Sequence, residues 1–259
     1  MIIKTIRSKS NTVFRLFLKL LNVRGIKKHC LALLSGPKQV KEVLQEFPDR
    51  CRGIISSDSH APPIEYAADG ITLYNIRTDM FRQIDVYNTG HPLLLVSVEP
   101  FPVYSDEYYP AGCSLFIPFQ DPANVGALIR SSAAFGVSRV IMLKEAAHPF
   151  HPKSVRVAGS CLFRVPVFSG PSLFQLNVSK TPVITLSAKG TDVDGFRFPH
   201  TFCLVPGMEG PGLPSYLMKA TCLSIPMERD VESLNAALTT GIVLYLWRTG
   251  LNQIRSSCK

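Results

Sequence analysis

Three short stretches of this 259-residue chain carry side chains placed where chemistry could be done. The first, FIPFQDPANVGALIRSSAAFGVSRVIML, sets Asn124, Gly126 and Arg130 on the early turns of an Ala-rich helix that follows an apolar strand and a polar loop. If both are helical, Asn124 and Arg130 are separated by ~120° around the axis and ~9 Å along it. A guanidinium in such a place suits a phosphate or an oxygen on which negative charge develops. The second stretch, CLVPGMEGPGLP, surrounds the single acid Glu209 with Gly207, Gly210 and Gly212 directly after an apolar strand. Its G-x-x-G-x-G spacing is neither the dinucleotide-binding G-x-G-x-x-G nor a phosphate loop ending in Gly-Lys-Ser/Thr. Glycines here let backbone groups approach a ligand closely, or simply make turns. The third, CLSIPMERDVESLNAALTTGIVLYLW, runs from a strand through Pro226 to Ser233, Leu234 and Asn235 at the start of a long helix. Taken singly, each stretch has an ordinary explanation: Asn124 as a helix cap, Arg130 as a surface cation, Ser233 as a cap and Leu234 as core. Asn235, a modest helix former at an early helical position, fits that explanation least well.

The elements that must position these residues come next. Strands are expected at Ser114–Pro118, Val140–Leu143, Phe163–Val167, Val183–Leu186, Phe202–Val205 and Cys222–Ile225, with helices over 124–135 and 233–248. Strands alternating with helices predict a mainly parallel sheet, whose ligands sit beyond the carboxyl ends of its strands. That rule selects the loops Phe119–Gly126, Pro206–Leu213 and Pro226–Asn235. Upstream, Phe14, Phe17, Leu18 and Leu21 share one helical face opposite Arg15, Lys19 and Asn22, after possible caps Ser10 and Asn11. A strand at 30–34, a helix at 37–47 and strands at 53–55 and 93–98 complete a small α/β sandwich. The boundary is expected near Pro110, giving a small domain with linker over 1–110 and a second domain over 111–259.

Composition narrows the function classes. Hydrophobic residues make up 46% and charged residues 18%, the balance of a folded globular chain and not of a disordered one. The net charge of +9 is uneven: residues 1–60 hold 12 basic and 4 acidic side chains, residues 61–110 hold 2 and 7, and residues 111–259 hold 14 and 8. The basic first stretch, with Arg24, Lys27 and Lys28, suits a polyanion such as RNA, although a solvated surface or an anionic membrane face would look the same by charge alone. Seven scattered cysteines without a C-x-x-C pair fit reduced thiols of a cytoplasmic protein, and speak against a zinc site. Arg15 and Lys19 interrupt the N-terminal apolar stretch, and no run approaches the ~18 apolar residues of a membrane span.

Taken together and in this order, the three stretches resemble the SpoU (TrmH-like) family of RNA 2′-O-ribose methyltransferases, within the SPOUT superfamily. Asn124, Gly126 and Arg130 match the family's first motif; Gly207, Glu209, Gly212 and Leu213 match its second; Ile225, Pro226, Met227, Ser233, Leu234 and Asn235 match its third. HPKSVRVAGSCLFRVPV, with Lys153, Arg156 and Pro166 in register, is similar to the family's stretch between the first two motifs. The resemblance covers most of residues 111–259. It implies a SPOUT-type α/β catalytic domain with a mainly parallel sheet, a C-terminal trefoil knot, a homodimer with its active site beside the interface, and S-adenosylmethionine as methyl donor without a metal. Through it Arg130, Asn124, Glu209 and Asn235 are assigned to catalysis, and Leu186, Gly207, Ile225, Met227, Ser233, Leu234 and Asn235 to the cofactor. Residues 13–98 more loosely resemble the small substrate-binding domain that precedes the catalytic domain in ribosomal-RNA members. That favours ribosomal over transfer RNA, with Arg24, Lys27, Lys28 and Arg156 as expected contacts. The competing reading is a catalytically silent RNA-binding or ribosome-assembly protein that keeps the fold. A nucleotide-cofactor oxidoreductase is disfavoured by the glycine spacing.

The resemblance names the arginine as catalytic, but removing a proton from a guanidinium at neutral pH costs roughly 8 kcal/mol. A clamp on an RNA phosphate that also steadies the developing alkoxide fits its chemistry better than a general base. Glu209 is better suited to orienting Arg130 or Asn124, since an unperturbed carboxylate is a weak base. Three positions depart from the family pattern: Ala158 and Ser160, where Ser and Gly are frequent, and Arg229, where Gly is frequent.

Overall fold

Caps and close approaches decide how the chain starts. Asn11 accepts from the Val13 and Phe14 amides and opens α1 (Thr12–Lys19), whose Phe14 and Phe17 are completely buried. Each such ring contributes roughly 1.5–3 kcal/mol through removal from water. Asn22 is not the tail of that helix. Its side chain accepts from the Gly25 amide and caps α2 (Val23–His29), a helix the sequence reading did not expect. Gly25 permits the tight junction, because a Cβ there would lie 1.9 Å from the Lys19 carbonyl oxygen. The structure is a computed structural model that describes residues 2–59, 66, 70–208, 212–228, 231 and 233–257, the last seven by their backbone alone.

The chain divides into two compact units, Met1–Pro100 with Pro149–Phe163, and Phe101–His148 with Arg164–Lys259. The first holds a five-stranded sheet in the order β1-β4-β3-β5-β2. Strands β1 (Ile2–Ile6), β3 (Cys51–Ser57) and β4 (Thr72–Ile76) run parallel, whereas β5 (Leu93–Ser97) is antiparallel to both β3 and β2 (Leu31–Leu34). Helices α3 (Pro37–Glu46) and α4 (Thr78–Ile84) complete the layer arrangement, and Phe14, Phe17, Ile55, Ile76, Met80, Leu93 and Leu95 fuse into one core. Strands β1 and β4 and helix α4 lie outside the elements read from sequence. Polar Thr72 and Asn75 in β4 dilute the apolar alternation on which that reading rests.

Residues 149–163, which the sequence reading placed in the second domain, pack in the first unit. They form α6 (Pro152–Ala158) and a 3-10 turn ending at Phe163. The Phe163 ring lies 5.4 Å from that of Phe47 and 5.7 Å from that of Phe150, which takes Phe163 out of the strand expected over 163–167. The departing residues have local roles here: Ala158 is buried, and the Ser160 hydroxyl donates to Glu42 Oε2 at 2.6 Å.

The second unit is a fully parallel six-stranded sheet in the order β11-β9-β10-β6-β7-β8. Its strands are β6 (Gly112–Ile117), β7 (Arg139–Met142), β8 (Val167–Ser169), β9 (Val183–Asp192), β10 (Thr201–Pro206) and β11 (Thr221–Ser224), with helices α5 (Pro122–Phe135) and α7 (Ala236–Ser257). The middle strands are apolar on both faces, as burial from two sides demands, and Phe116, Ile141, Leu173, Cys203 and Val205 share a core. Residues 101–110 belong to this unit rather than to a linker before it. The buried Arg139 explains why: its Nε donates to Ser114 Oγ at 3.0 Å while its guanidinium lies 5.2 Å from the Tyr104 ring centre and 4.7 Å from that of Tyr109. Both tyrosine hydroxyls also bond the Asp106 carboxylate, and Tyr104 N donates to Ser169 O, so the segment is fastened onto the sheet. Division therefore falls at Pro100/Phe101 and not near Pro110.

Candidate active site

The middle of β9 and the carboxyl ends of β10 and β11 converge on a cavity of about 420 Å³. Leu186 reaches it from within β9, Gly207 from the loop after β10, Ile225 and Met227 from the loop after β11, and Ser233, Leu234 and Asn235 from the approach to α7. These seven residues, far apart in sequence, thus line one space. Its size falls within the ~300–1,000 Å³ of small-molecule and cofactor sites. Leu186, Leu213, Leu223, Ile225, Met227 and Leu234 supply apolar walls, while Ser187, Ser224 and Thr239 add hydroxyls that the sequence reading did not single out. Thr239, one helical turn beyond Asn235, was the legible one among these.

Gly207 has a specific steric reason to be glycine. A Cβ there would lie 3.2 Å from the Gly212 carbonyl carbon and 3.4 Å from its Cα, because the loop folds back on itself through reciprocal Met208–Gly212 backbone hydrogen bonds of 3.0 Å. Gly212 itself has φ +71°, a left-handed conformation. Glu209, Gly210 and Arg229 lie outside the described residues.

Asn235 sets the geometry at the cavity's rim. It is the N-cap of α7, its Oδ1 accepting from the Ala237 amide at 2.9 Å and the Leu238 amide at 3.0 Å. The helix therefore begins at Ala236, and Ser233 does not cap it. With Oδ1 turned to the helix, Nδ2 faces outward and donates to Asn124 Oδ1 at 3.2 Å. Asn124 is likewise not a helix cap, the ordinary explanation its position also allowed. Asp121 caps α5 by accepting from the Ala123 amide, Pro122 occupies the first turn, and Asn124 lies one residue beyond Ala123. Arg130 follows on the same helix, exposed and without an ion pair among the described residues. A cavity with apolar walls and scattered hydroxyls, rimmed by a carboxamide bonded to the helix that carries an exposed arginine, can hold a flat ligand with a polar tail and meet an anionic partner.

Of the residues expected to touch a polyanion, Arg24, Lys27 and Lys28 occupy one exposed face of α2, and Arg156 is exposed on α6 with its guanidinium 5.5 Å from the Tyr87 ring centre. All four belong to the first unit. Among the described residues no helix is long and apolar enough to cross a membrane, and no group of three or more His, Cys, Asp or Glu could hold a metal ion.

Comparison with known proteins places this geometry. Residues 115–245 match the model of the SpoU rRNA Methylase family. Over 98% of its length the chain is 44% identical to Ribosomal RNA small subunit methyltransferase G 2 of Syntrophobacter fumaroxidans, but it spans only 51% of that relative. Over 93% of its length it is 27% identical to the Bacillus subtilis 23S rRNA (guanosine(2553)-2'-O)-methyltransferase RlmP, covering 98% of it. It shares its fold with the AdoMet-bound rRNA methyltransferase from Sinorhizobium meliloti, with a TM-score of 0.78 at 21% identity, covering 96% of this chain and 98% of that one. The SpoU methyltransferase AviRb from Streptomyces viridochromogenes, in complex with AdoMet, superposes with a TM-score of 0.75 at 22% identity over 94% of this chain and all of that one. With a family match over half its length and a parallel α/β unit bearing the three motif loops on one sheet edge, the chain belongs to the SpoU rRNA Methylase family.

Proposed function

We propose that this chain transfers a methyl group from S-adenosylmethionine to a ribose 2′-hydroxyl of RNA, with ribosomal RNA the preferred substrate. One observation carries the reading. Leu186, Gly207, Ile225, Met227, Ser233, Leu234 and Asn235 line a single cavity, and Asn235 is hydrogen-bonded to the helix that bears Arg130. The apolar walls suit an adenine, and the hydroxyls of Ser187, Ser224, Ser233 and Thr239 suit a ribose and an amino-acid tail. When bound, S-adenosylmethionine supplies an electrophilic methyl on its sulfonium, so the reaction calls for placement more than for a further catalyst. The chain's share is to exclude water around the donor, hold the RNA in line, and steady the oxygen as it loses its proton. Arg130 does the last, clamping a neighbouring phosphate while the proton passes to phosphate or water. Asn235 and Asn124 fix the cavity rim against α5, and Glu209 orients one of the two catalytic side chains.

The same reading extends to the assembly. Leu238 and Tyr245, seven residues apart on α7, are 54% and 52% exposed, and the Tyr245 ring meets that of Phe135 at 6.1 Å. Such an apolar stripe suits the α7 and α5 faces of a second copy, the homodimer in which the site is completed. The chain closes its C-terminal segment as a trefoil knot, in keeping with the SPOUT fold, and works in the cytoplasm where its RNA is found. The name of the Syntrophobacter relative indicates the small subunit and that of the Bacillus relative 23S rRNA, and the first covers a protein about twice as long, so the RNA is best identified by mapping. Calorimetric titration with S-adenosylhomocysteine tests the cofactor assignment. Saturable one-site binding is expected, and absence of any heat of binding would leave the silent RNA-binding alternative.

A further inference from the structure

The first unit has its own cavity of about 220 Å³, at the carboxyl ends of its parallel strands β3 and β4. Carboxyl edges of parallel strands are where open α/β sheets hold ligands. The floor is built from hydroxyls and a buried acid. Thr78 Oγ1 donates to Asp58 Oδ1 at 2.8 Å, so the Ser57 hydroxyl must donate to Thr78 (2.8 Å), leaving the 2.7 Å contact with Ser59 to a proton from Ser59. The Ser57 oxygen already accepts from both the Ser59 hydroxyl and the Ser59 amide, so of the two it is Thr78, its proton committed, that offers the cavity a lone pair. Asp85, 3% exposed, adds a carboxylate whose oxygens each accept once, from Thr89 Oγ1 at 3.1 Å and from the Gly90 amide at 2.8 Å, and retain further lone pairs.

The rim has the opposite character. Arg82 is exposed and forms no ion pair among the described residues. Asn88, also exposed, is held at φ +48°, a left-handed conformation that non-glycine residues rarely adopt and Asn tolerates best. Buried Phe81 closes the apolar side. A ligand that fits must direct N–H or O–H donors inward and an anion outward toward Arg82.

We infer that this cavity binds one unstacked nucleoside monophosphate unit, its base and ribose donors on the Thr78 and Asp85 acceptors and its phosphate on Arg82. Resting on the RNA reading above, the unit belongs to the RNA strand, and the cavity is a subsite through which the first unit selects its substrate. The same chemistry would accept a free mononucleotide, and the test separates the two sources.

The full chain is titrated with the four nucleoside 5′-monophosphates and, separately, with a single-stranded oligoribonucleotide, following backbone amides by NMR and affinity by calorimetry. Amides of Arg82, Asn88 and Gly90 are expected to shift with both probes, and Arg82→Ala and Asn88→Gly, the latter keeping the left-handed backbone, to weaken oligonucleotide binding about tenfold. In methyl-transfer assays both variants should raise the RNA concentration for half-maximal rate. Monophosphate binding sensitive to both substitutions, with oligonucleotide binding insensitive, supports the pocket's chemistry and assigns it to a free nucleotide. No shift at these three amides, or equal affinities in wild type and variants for both probes, overturns the proposal. S-Adenosylhomocysteine is titrated into the same samples: its failure to bind would strike the methyltransferase reading and leave this one standing.

Discussion

Both units place a cavity at the carboxyl edge of parallel strands, yet the walls differ in kind. In the second unit the lining is glycine backbone, leucine, isoleucine and methionine with several hydroxyls, and the Asn235 carboxamide at its rim is bonded to that of Asn124. In the first it is a chain of hydroxyls above a buried carboxylate, with an arginine at the mouth. Sheet geometry selects where a ligand lies in each, and the loop residues decide which ligand. The larger cavity, with both apolar walls and hydroxyls, suits a complete cofactor; the smaller one, with an arginine at its mouth, suits a single charged unit.

The sharpest way to separate the two is Arg130→Ala. A fall of about 10³-fold in single-turnover methyl transfer is expected with unchanged S-adenosylhomocysteine affinity, as for removal of a group that acts on developing charge. Arg130→Lys extends the test, because retention of most turnover there would contradict a bidentate clamp. Next in size is Gly207→Ala. The added methyl meets the Gly212 backbone at 3.2 Å, where no flexible side chain can yield, so cofactor affinity should fall about tenfold or more while RNA binding by the first unit is unaffected, both read by calorimetry.

Smaller still, Asn235 separates stability from positioning. Asn235→Ala loses the α7 cap at a cost of about 1 kcal/mol, visible as a lower Tm. Asn235→Asp keeps an acceptor for the Ala237 and Leu238 amides but has no donor for Asn124, so its Tm should hold while turnover falls. Equal losses of Tm in the two variants would show that the cap adds nothing to stability beyond the contact with Asn124.

The smallest effect concerns acid. At Asp106 burial pushes the pKa up, but hydrogen bonds from Tyr109, Ser179 and Tyr104 together outweigh it and hold the carboxyl below the ordinary range. A lowered folded value means stabilisation that is complete above the unfolded carboxyl pKa of about 3.9 and is lost as pH falls through the folded one. Acid unfolding of the wild type below pH ~4 should therefore be steeper than that of Asp106→Asn, measured by circular dichroism.

The sequence made the second unit legible and the first only partly so. Loops after β10 and β11 stand out because apolar strands run straight into Gly-rich or Pro-containing segments, and the structure brings both to one cavity. The start of α7 was misread because Ser233 and Asn235 are both good caps; which one serves depends on whose oxygen reaches the free amides, a question of backbone path and not of residue type. The boundary at Pro100 was hidden because Tyr104, Asp106 and Tyr109 read as a polar linker, and only the buried Arg139 shows what they fasten. Packing of residues 149–163 with α3 was hidden for the same reason. A long-range partner such as Glu42 for Ser160 leaves no local signal.

The central claim is tested most directly by incubating the chain with methyl-labelled S-adenosylmethionine and ribosomal RNA, then digesting the RNA to nucleosides and identifying the labelled one. The account predicts a single 2′-O-methylated nucleoside, absent with Arg130→Ala. Label found on a base, or equal labelling by Arg130→Ala, would contradict it.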